Sequence, residues 1–109
     1  KPHGRGVYGI NEVIKRTENG AVDRIVVSEG CQLHVYELLN TQTEEKKTVF
    51  STTKPSEPGF SIMGDEDAFD FLEKLAENYG STVITVSTDT REGQQFAELG
   101  GIGAFLRYV

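Results

Sequence analysis

The chain has few of the residues that cross-link a fold or bind a metal. Its 109 residues include one cysteine, Cys31, two histidines and no tryptophan. A single cysteine cannot form an intrachain disulfide, so the fold depends on a hydrophobic core. A chain of this length buries roughly two-thirds of the surface that its unfolded form exposes. We therefore predict a single domain over residues 1–109 that is stable without disulfides.

Long apolar runs are absent as well. No segment approaches the roughly 20 apolar residues that a transmembrane helix needs, and the first residues lack the apolar stretch of a signal peptide. Together with the single cysteine, this pattern predicts a cytoplasmic protein that does not contact a membrane.

Basic residues are outnumbered: 11 Lys and Arg against 17 Asp and Glu give a formal net charge of -6. Proteins that bind nucleic acids concentrate basic residues on one face, whereas the basic residues here are scattered. The balance argues against direct, sequence-specific nucleic-acid binding and favours a protein partner. Acidity that serves only solubility is the simpler alternative.

The patterns that are present alternate between helix and strand. Apolar residues at helical spacing predict helices over Ile10 to Asn19, Asp65 to Tyr79 and Glu92 to Leu99. Runs rich in Val, Ile and Thr predict strands over Val22 to Ser28, Thr82 to Ser87 and Ile102 to Val109. Such alternation requires crossover connections, so we predict an α/β fold, a layered α/β/α sandwich with a mixed sheet.

Local signals set the expected ends of these helices. Asn11 and Asp65 are the expected N-terminal caps, because a short polar side chain can accept a hydrogen bond from a free backbone N–H there. Gly20 and Gly80 are expected to end the first and second helices in the left-handed conformation.

The segment 31–63 interrupts the alternation. Gln32 to Leu39 and Lys46 to Ser51 have strand patterns, and the polar turn Asn40 to Glu45 joins them. The prolines and glycine of Lys54 to Gly59 indicate an extended return loop. We predict a β-ribbon subdomain inserted over residues 31–63.

Two patterns match part of a ligand site without completing it. Gly4 to Gly9 has the letters of the dinucleotide-binding motif, but only three residues precede it, too few for the strand that the motif must follow. Cys31 and His34 have the spacing of half a zinc site, but there is no second thiol, and His3 is the only other imidazole. We expect no nucleotide, cofactor or metal.

Catalytic residues do not form a recognisable set either. With two histidines in the chain, neither Ser61 nor Ser81 has an evident general base. The carboxylates of the second predicted helix fit a solvated helix face better than a catalytic pair. We expect no enzymatic activity from this chain.

The last eighteen residues, Glu92 to Val109, are the most informative part of the sequence. They predict a short helix ending at Gly100, then a junction where Gly101 and Gly103 permit close backbone approach, and then a strand. Their Gly-Gly-Ile-Gly-x-x-Leu-Arg-Tyr block resembles the end of the class-1 peptide chain release factors of archaea and eukaryotes, the release factor subunit 1 family. Tyr8 to Val13, Asn19 to Val22 and Val26 to Glu29 are similar to the opening of the same C-terminal domain, so the resemblance covers nearly the whole chain.

The resemblance implies both a fold and a role. The family fold is the α/β sandwich shared with kink-turn-binding ribosomal proteins. In the family, an N-terminal domain reads stop codons, and a central domain with a Gly-Gly-Gln loop triggers peptidyl-tRNA hydrolysis. The C-terminal domain docks the translational GTPase of the elongation factor family and, after termination, the ribosome-recycling ATPase. Glu92 to Gln95 is not the catalytic loop, because it begins a predicted helix and lacks the glycine pair.

The resemblance also implies where the GTPase binds, namely on the first helix and the terminal strand. The residues expected to bind are Ile10, Glu12, Lys15, Arg16, Phe105, Arg107 and Tyr108. For Ile10 and Phe105, a place in the core is an equally good interpretation. Archaeal relatives often carry two Cys-x-x-Cys pairs on the inserted ribbon, where this chain has Asn40 to Thr43 and Lys54 to Pro58, a departure that argues against zinc.

Two other interpretations fit the resemblance less well. Pelota-type ribosome-rescue factors share this domain and the GTPase partner, but they lack the long ribbon and rarely have the Gly-Gly-Ile-Gly sequence. The fold also permits kink-turn RNA binding through the loop before the first helix, yet Val7 to Ile10 is apolar where a basic surface is needed.

Overall fold

The computed structural model describes residues 6–107, which form two compact units. The described part of the first unit comprises 6–31 and 72–107, and the second unit is Gln32–Phe71. The chain therefore leaves the first unit after Cys31 and returns to it at Leu72. That both units constitute one domain, with an insertion over 31–63, stays a prediction.

The described chain contains seven strands and three helices. In chain order these are β1 (Gly6–Tyr8), α1 (Ile10–Glu18), β2 (Val22–Ser28), β3 (His34–Asn40), β4 (Lys46–Ser51), β5 (Phe60–Asp67), α2 (Ala68–Tyr79), β6 (Thr82–Val86), α3 (Arg91–Glu98) and β7 (Ile102–Leu106). The first unit contains a sheet of strand order β1-β7-β2-β6, in which β2 runs parallel to β6 and antiparallel to β7. The predicted α/β fold with a mixed sheet is confirmed.

One face of this sheet is buried, and we call it the closed face. The pairing register places on it a set of side chains that are at most 7% exposed: Val22, Ile25, Val27, Ile102, Ala104 and Leu106. Burial of each large aliphatic side chain stabilises the fold by roughly 1.5–3 kcal/mol. The closed face is therefore the main source of stability in the first unit.

The connections explain which helices cover the closed face. β1 and β2 are both antiparallel to β7 and hence parallel to each other, and α1 joins them. The connection from β2 to the parallel β6 contains α2 and steps across the sheet in the same direction. Because such crossovers are right-handed, α1 and α2 lie on the same face. Val13 of α1 and Leu72 of α2 are fully buried.

The opposite face of the sheet, which we call the open face, carries α3. The N-cap of this helix is Thr90, whose Oγ1 accepts a hydrogen bond from the Gly93 N–H at 2.9 Å. Its C-cap, Leu99, is followed by Gly100 and Gly101, whose φ angles of 110° and 72° lie in the left-handed region. A Cβ on Gly101 would lie 3.0 Å from the Ser28 Cβ, so the chain passes β2 too closely for a side chain. The predicted glycine junction is confirmed.

The second unit is a separate antiparallel sheet with the order β4-β3-β5. Tyr36 and Leu38 of β3 are buried. Beside them, the Lys47 Nζ lies 2.7 Å from the Glu57 Oε1 of the return loop and 4.8 Å from the centre of the Phe60 ring. The hydrogen bond to the Glu57 carboxylate raises the pKa of Lys47 above its usual 10.5.

The structure adds to and corrects the local predictions. β1 and β5 are strands that the sequence patterns do not predict, and β5 takes the place of the expected first turn of the second helix. That helix begins at Ala68 rather than Asp65, and it is the Asp67 Oδ1 that accepts a hydrogen bond from the Phe69 N–H, at 2.8 Å. The prediction that Asn11 caps α1 is wrong: the N-cap is Gly9, whose carbonyl accepts the first helical hydrogen bond from Val13.

Candidate docking surface

The described residues hold no obvious chemical site. No group of three or more His, Cys, Asp or Glu side chains comes together between residues 6 and 107. Cys31 directly follows the turn at the end of β2, and the His34 Nδ1 lies 2.8 Å from the Asp65 Oδ1 in the second unit. The prediction that the chain binds no metal stays a prediction, and His3 lies outside the described residues. Over the same range, no helix is long and apolar enough to cross a membrane.

An apolar groove runs along the open face, and we call it the open-face groove. Its floor is formed by Val26 and Gly103, in the two central strands of the sheet. Its walls are the side chains of Tyr8, Ile84, Phe96 and Phe105. The groove has a volume of about 280 Å³. Clefts that enclose small ligands have volumes of roughly 300–1,000 Å³, so the groove lies just below this range.

The groove exists because Gly103 has no side chain. A Cβ at this position would lie 3.0 Å from the Val7 carbonyl oxygen and 3.3 Å from the Phe96 Cε1. The Phe96 ring of α3 can therefore lie close to the sheet, and its centre is 6.3 Å from that of the Tyr8 ring. α3 leaves the rest of the face uncovered, so that Ile84, Phe105 and Tyr8 are 38%, 45% and 61% exposed.

Phe105 lies at the rim of this groove and not in the core. It pairs with Arg24 across β7 and β2, and the guanidinium carbon of Arg24 lies 5.6 Å from the centre of the Phe105 ring. A cation–π contact at an exposed site contributes about 0.5–1 kcal/mol. The pair presents an aromatic ring and a positive charge to solvent at one position, and Phe and Arg are both enriched at protein interfaces relative to the rest of the surface.

The predicted residues of the first helix form a different surface. The Arg16 Nε lies 2.8 Å from the Glu12 Oε1 in a half-exposed pair at i, i+4 spacing, and Lys15 is exposed. Ile10 is half-buried at the start of α1. Because α1 covers the closed face, these side chains lie on the other side of the sheet from Phe105. We call Ile10, Glu12, Lys15 and Arg16 the helix-one patch.

Arg107 lies in neither the open-face groove nor the helix-one patch. Its Nη2 donates a hydrogen bond to the Gly80 carbonyl at 2.8 Å, and its backbone N–H donates to the Ala21 carbonyl at 2.7 Å. The residue therefore ties the end of β7 to the loops that precede β6 and β2. Tyr108, the seventh predicted residue, lies outside the described residues.

Sequence reasoning missed three walls of the groove: Tyr8, Ile84 and Phe96. Tyr8 belongs to β1, a strand that the sequence does not predict, so its place beside Gly103 has no local signal. Alternation in the predicted last strand does put Gly103 and Phe105 on one face. That pattern indicates an aromatic ring, Phe105, next to a position without a side chain, Gly103.

Comparisons with known proteins agree with this fold. The family described as eRF1 domain 3 matches residues 1–109. The chain is 39% identical to the peptide chain release factor subunit 1 of Thermococcus onnurineus (strain NA1) over 122 residues, which cover 99% of this chain and 29% of the relative. The chain thus spans less than a third of that relative's length.

Two solved structures extend the comparison. The C-terminal domain of a peptide chain release factor from Methanosarcina mazei is similar with a TM-score of 0.83 at 26% identity, covering 98% of this chain and 73% of that chain. Dom34 of Saccharomyces cerevisiae, a translation termination-like factor that interacts with Hbs1, is similar with a TM-score of 0.57. That likeness, at 19% identity and over 97% of this chain and 22% of the other, shows the fold alone. With the whole chain matched, the protein belongs to the eRF1 domain 3 family, the C-terminal domain of peptide chain release factors.

Proposed function

We propose that this chain is the docking domain of a translation termination factor and that it binds a translational GTPase of the elongation factor family. The observation that carries the proposal is the open-face groove, where aromatic side chains of a release-factor domain stay exposed beside an arginine. Dom34, which shares the fold, interacts with Hbs1, so the fold occurs in a protein that binds a second protein. The ribosome is the site of action that membership of a release-factor family supports.

The groove suits a protein partner in both chemistry and energetics. Burying exposed Tyr8 and Phe105 removes apolar surface from water, at roughly 25 cal/mol for each Å². Tyr and Arg are enriched among the residues that carry most of the energy of an interface, and Tyr8 and Arg24 border the same uncovered face. The helix-one patch and Arg107 are the second proposed contact, and the recycling ATPase is the second proposed partner.

The domain contributes no catalytic group in this proposal. Peptidyl-tRNA hydrolysis requires a group that places water against an ester, and we assign that group to a domain that this chain does not contain. The contribution of this domain is recruitment, since holding the GTPase raises its effective concentration at the ribosome without lowering a chemical barrier.

A binding titration with matched variants tests the docking surface. Phe105→Ala should weaken binding of the GTPase about 30-fold, the equivalent of about 2 kcal/mol for an aromatic anchor. Met63→Ala is the matched control, because Met63 is a large apolar side chain that is 65% exposed in the second unit. Equal affinities for the two variants would exclude the groove. Lys15→Ala and Arg107→Ala test the second contact in the same way, and unchanged affinity for both would remove it.

An assay on ribosomes stalled at a stop codon tests the absence of catalysis. The chain alone should release no peptide above background. It should compete with a full-length release factor, and extra GTPase should relieve the competition. Release by the chain alone would contradict the proposal.

A further inference from the structure

The described residues that line the open-face groove include a single charged one, Glu92. The others are aliphatic or aromatic residues, glycines and one threonine, Thr90. Glu92 is exposed, and no side chain between residues 6 and 107 forms an ion pair or a hydrogen bond with its carboxylate. The groove therefore combines an apolar surface with one unpaired negative charge.

This charge lies at the end of the groove that α3 covers. Glu92 and Phe96 are four residues apart in α3, a spacing that brings side chains to one face of a helix, and both line the groove. The first turn of α3 packs against the end of β6, because Gly93 leaves no room for a Cβ beside the carbonyl oxygen of Ser87. A ligand that reaches the Glu92 carboxylate therefore passes the Phe96 ring and the end of β6.

The positive charge of Arg24 lies towards the other end of the open face. Arg24 is in register with Thr82, the first residue of β6, and its guanidinium carbon lies over the Phe105 ring. Val86 follows Thr82 by four positions, which corresponds to about 13 Å along a strand. Salt screens exposed charges beyond about 8 Å at physiological ionic strength. Arg24 therefore opposes a second cation near Glu92 only weakly.

We propose that the open-face groove binds a long cationic side chain, that of an arginine or a lysine, whose charged head reaches Glu92. This inference rests on the proposed function, in which the side chain belongs to the GTPase. Such side chains bury their aliphatic stem on apolar surface, here Val26 and Ile84, and keep the head in contact with water. The Phe96 ring adds a cation–π contact, for which the planar guanidinium of arginine is especially suited.

Other occupants fit the groove less well. An apolar side chain that filled it would remove water from the Glu92 carboxylate without giving it a partner, which is unfavourable. An acidic side chain would meet a like charge. A long cationic side chain matches both the apolar floor and the carboxylate. The net charge of -6 acts in the same direction at long range, because it attracts a basic partner.

The affinity of the GTPase for matched variants tests this charge. Glu92→Gln should weaken binding about tenfold at low salt, through the loss of one charge-assisted contact. Glu98→Gln is the control, because it removes an exposed carboxylate from the same helix outside the groove. Glu92→Asp keeps the charge and should bind more tightly than Glu92→Gln. At about 1 M salt, where the screening length is about 3 Å, the affinities of wild type and Glu92→Gln should converge.

The outcomes separate this inference from the proposed function. Equal affinities for Glu92→Gln and Glu98→Gln, with Phe105→Ala still weakened, would overturn the cationic occupant and leave the groove as the docking site. Tighter binding by Glu92→Gln than by Glu92→Asp would overturn it as well, because shape and not charge would then matter. Equal affinities for Phe105→Ala and Met63→Ala would refute the proposed function itself. Because a carboxylate in the first turn also stabilises a helix, urea unfolding of each variant must show an intact fold.

The preference for a cation can also be measured without the GTPase. Titration of the isotope-labelled chain with N-acetyl-arginine amide should shift the amide signals of Glu92 and Phe96. N-acetyl-norleucine amide, which has an aliphatic stem without a charge, should shift them less, and Glu92→Gln should remove the difference between the two probes. Equal shifts with both probes in the wild-type chain would overturn the inference.

Discussion

The two faces of the four-stranded sheet are formed by the same strands, but one face is buried and the other is partly exposed. On the closed face, two helices bury aliphatic side chains such as Ile25 completely. On the open face, α3 covers only one end of the sheet. Ile84, in the edge strand β6, stays 38% exposed. β2 and β7 therefore contribute one set of alternate residues to the core of the first unit and the other set to the proposed docking surface. Substitutions should accordingly separate into those that change stability and those that change binding.

The largest expected effect compares two isoleucines, one on each face. Ile25→Ala should lower the free energy of unfolding by about 3 kcal/mol, because it removes buried methyl groups and leaves a cavity. Ile84→Ala should lower it by less than about 1 kcal/mol, because its side chain is already partly in water. Urea unfolding measures both. Equal losses would mean that the open face is part of the core.

Gly103→Ala should have the next largest effect. Its Cβ would approach a backbone oxygen of β1 and the Phe96 ring, and overpacking of this kind costs about 1–3 kcal/mol. The matched control is Gly6→Ala in β1, where the nearest atom would be 3.8 Å away and the contact is ordinary. Thermal unfolding of the two variants is the measurement. A Gly103→Ala variant as stable as Gly6→Ala would show that α3 moves away from the sheet at little cost.

The cap of α3 should contribute less. Thr90→Ala removes the acceptor of the Gly93 N–H, a loss that typically costs about 1 kcal/mol, while Thr90→Ser keeps the hydroxyl group. Because α3 carries Phe96, the Ala variant should also weaken GTPase binding more than the Ser variant does. Urea unfolding and the binding titration together test this. Identical results for Ala and Ser would show that the hydrogen bond from the Gly93 N–H to residue 90 does not stabilise α3 beside the groove.

The smallest expected effect is that of a chelator. If packing alone holds both faces, addition of a zinc chelator should leave the melting temperature unchanged. A stoichiometric zinc signal in the purified chain, or a lowered melting temperature, would show that a metal contributes to the stability that we assign to the closed face.

The sequence predicts the closed face better than the open face, for a physical reason. Apolar periodicity in α1 and the Ile25-Val26-Val27 run report burial directly, and they predict the core elements correctly. Gly20 and Gly80 end their helices as expected, with positive φ angles. These features depend on local conformation and hydrophobicity, which neighbouring residues determine.

The candidate site depends on pairings between distant parts of the chain. Tyr8 reaches the groove only because β1 pairs with β7, almost a hundred residues later. Phe105 was predicted as a binding residue from the resemblance, but its separation from the helix-one patch follows from the handedness of the crossovers. β5 was missed because Asp65 to Asp67 has the composition of a helix start, and strand pairing with β3 overrides that local preference.

Docking of the GTPase in the open-face groove can be followed residue by residue. Amide NMR spectra of the isotope-labelled chain, recorded during titration with a translational GTPase, test it most directly. We expect the signals of Tyr8, Gly103 and Phe105 to shift or broaden at the lowest GTPase concentrations, while that of Met63 in the second unit does not change. Perturbations confined to Gln32–Phe71, with the three groove residues unaffected, would contradict it.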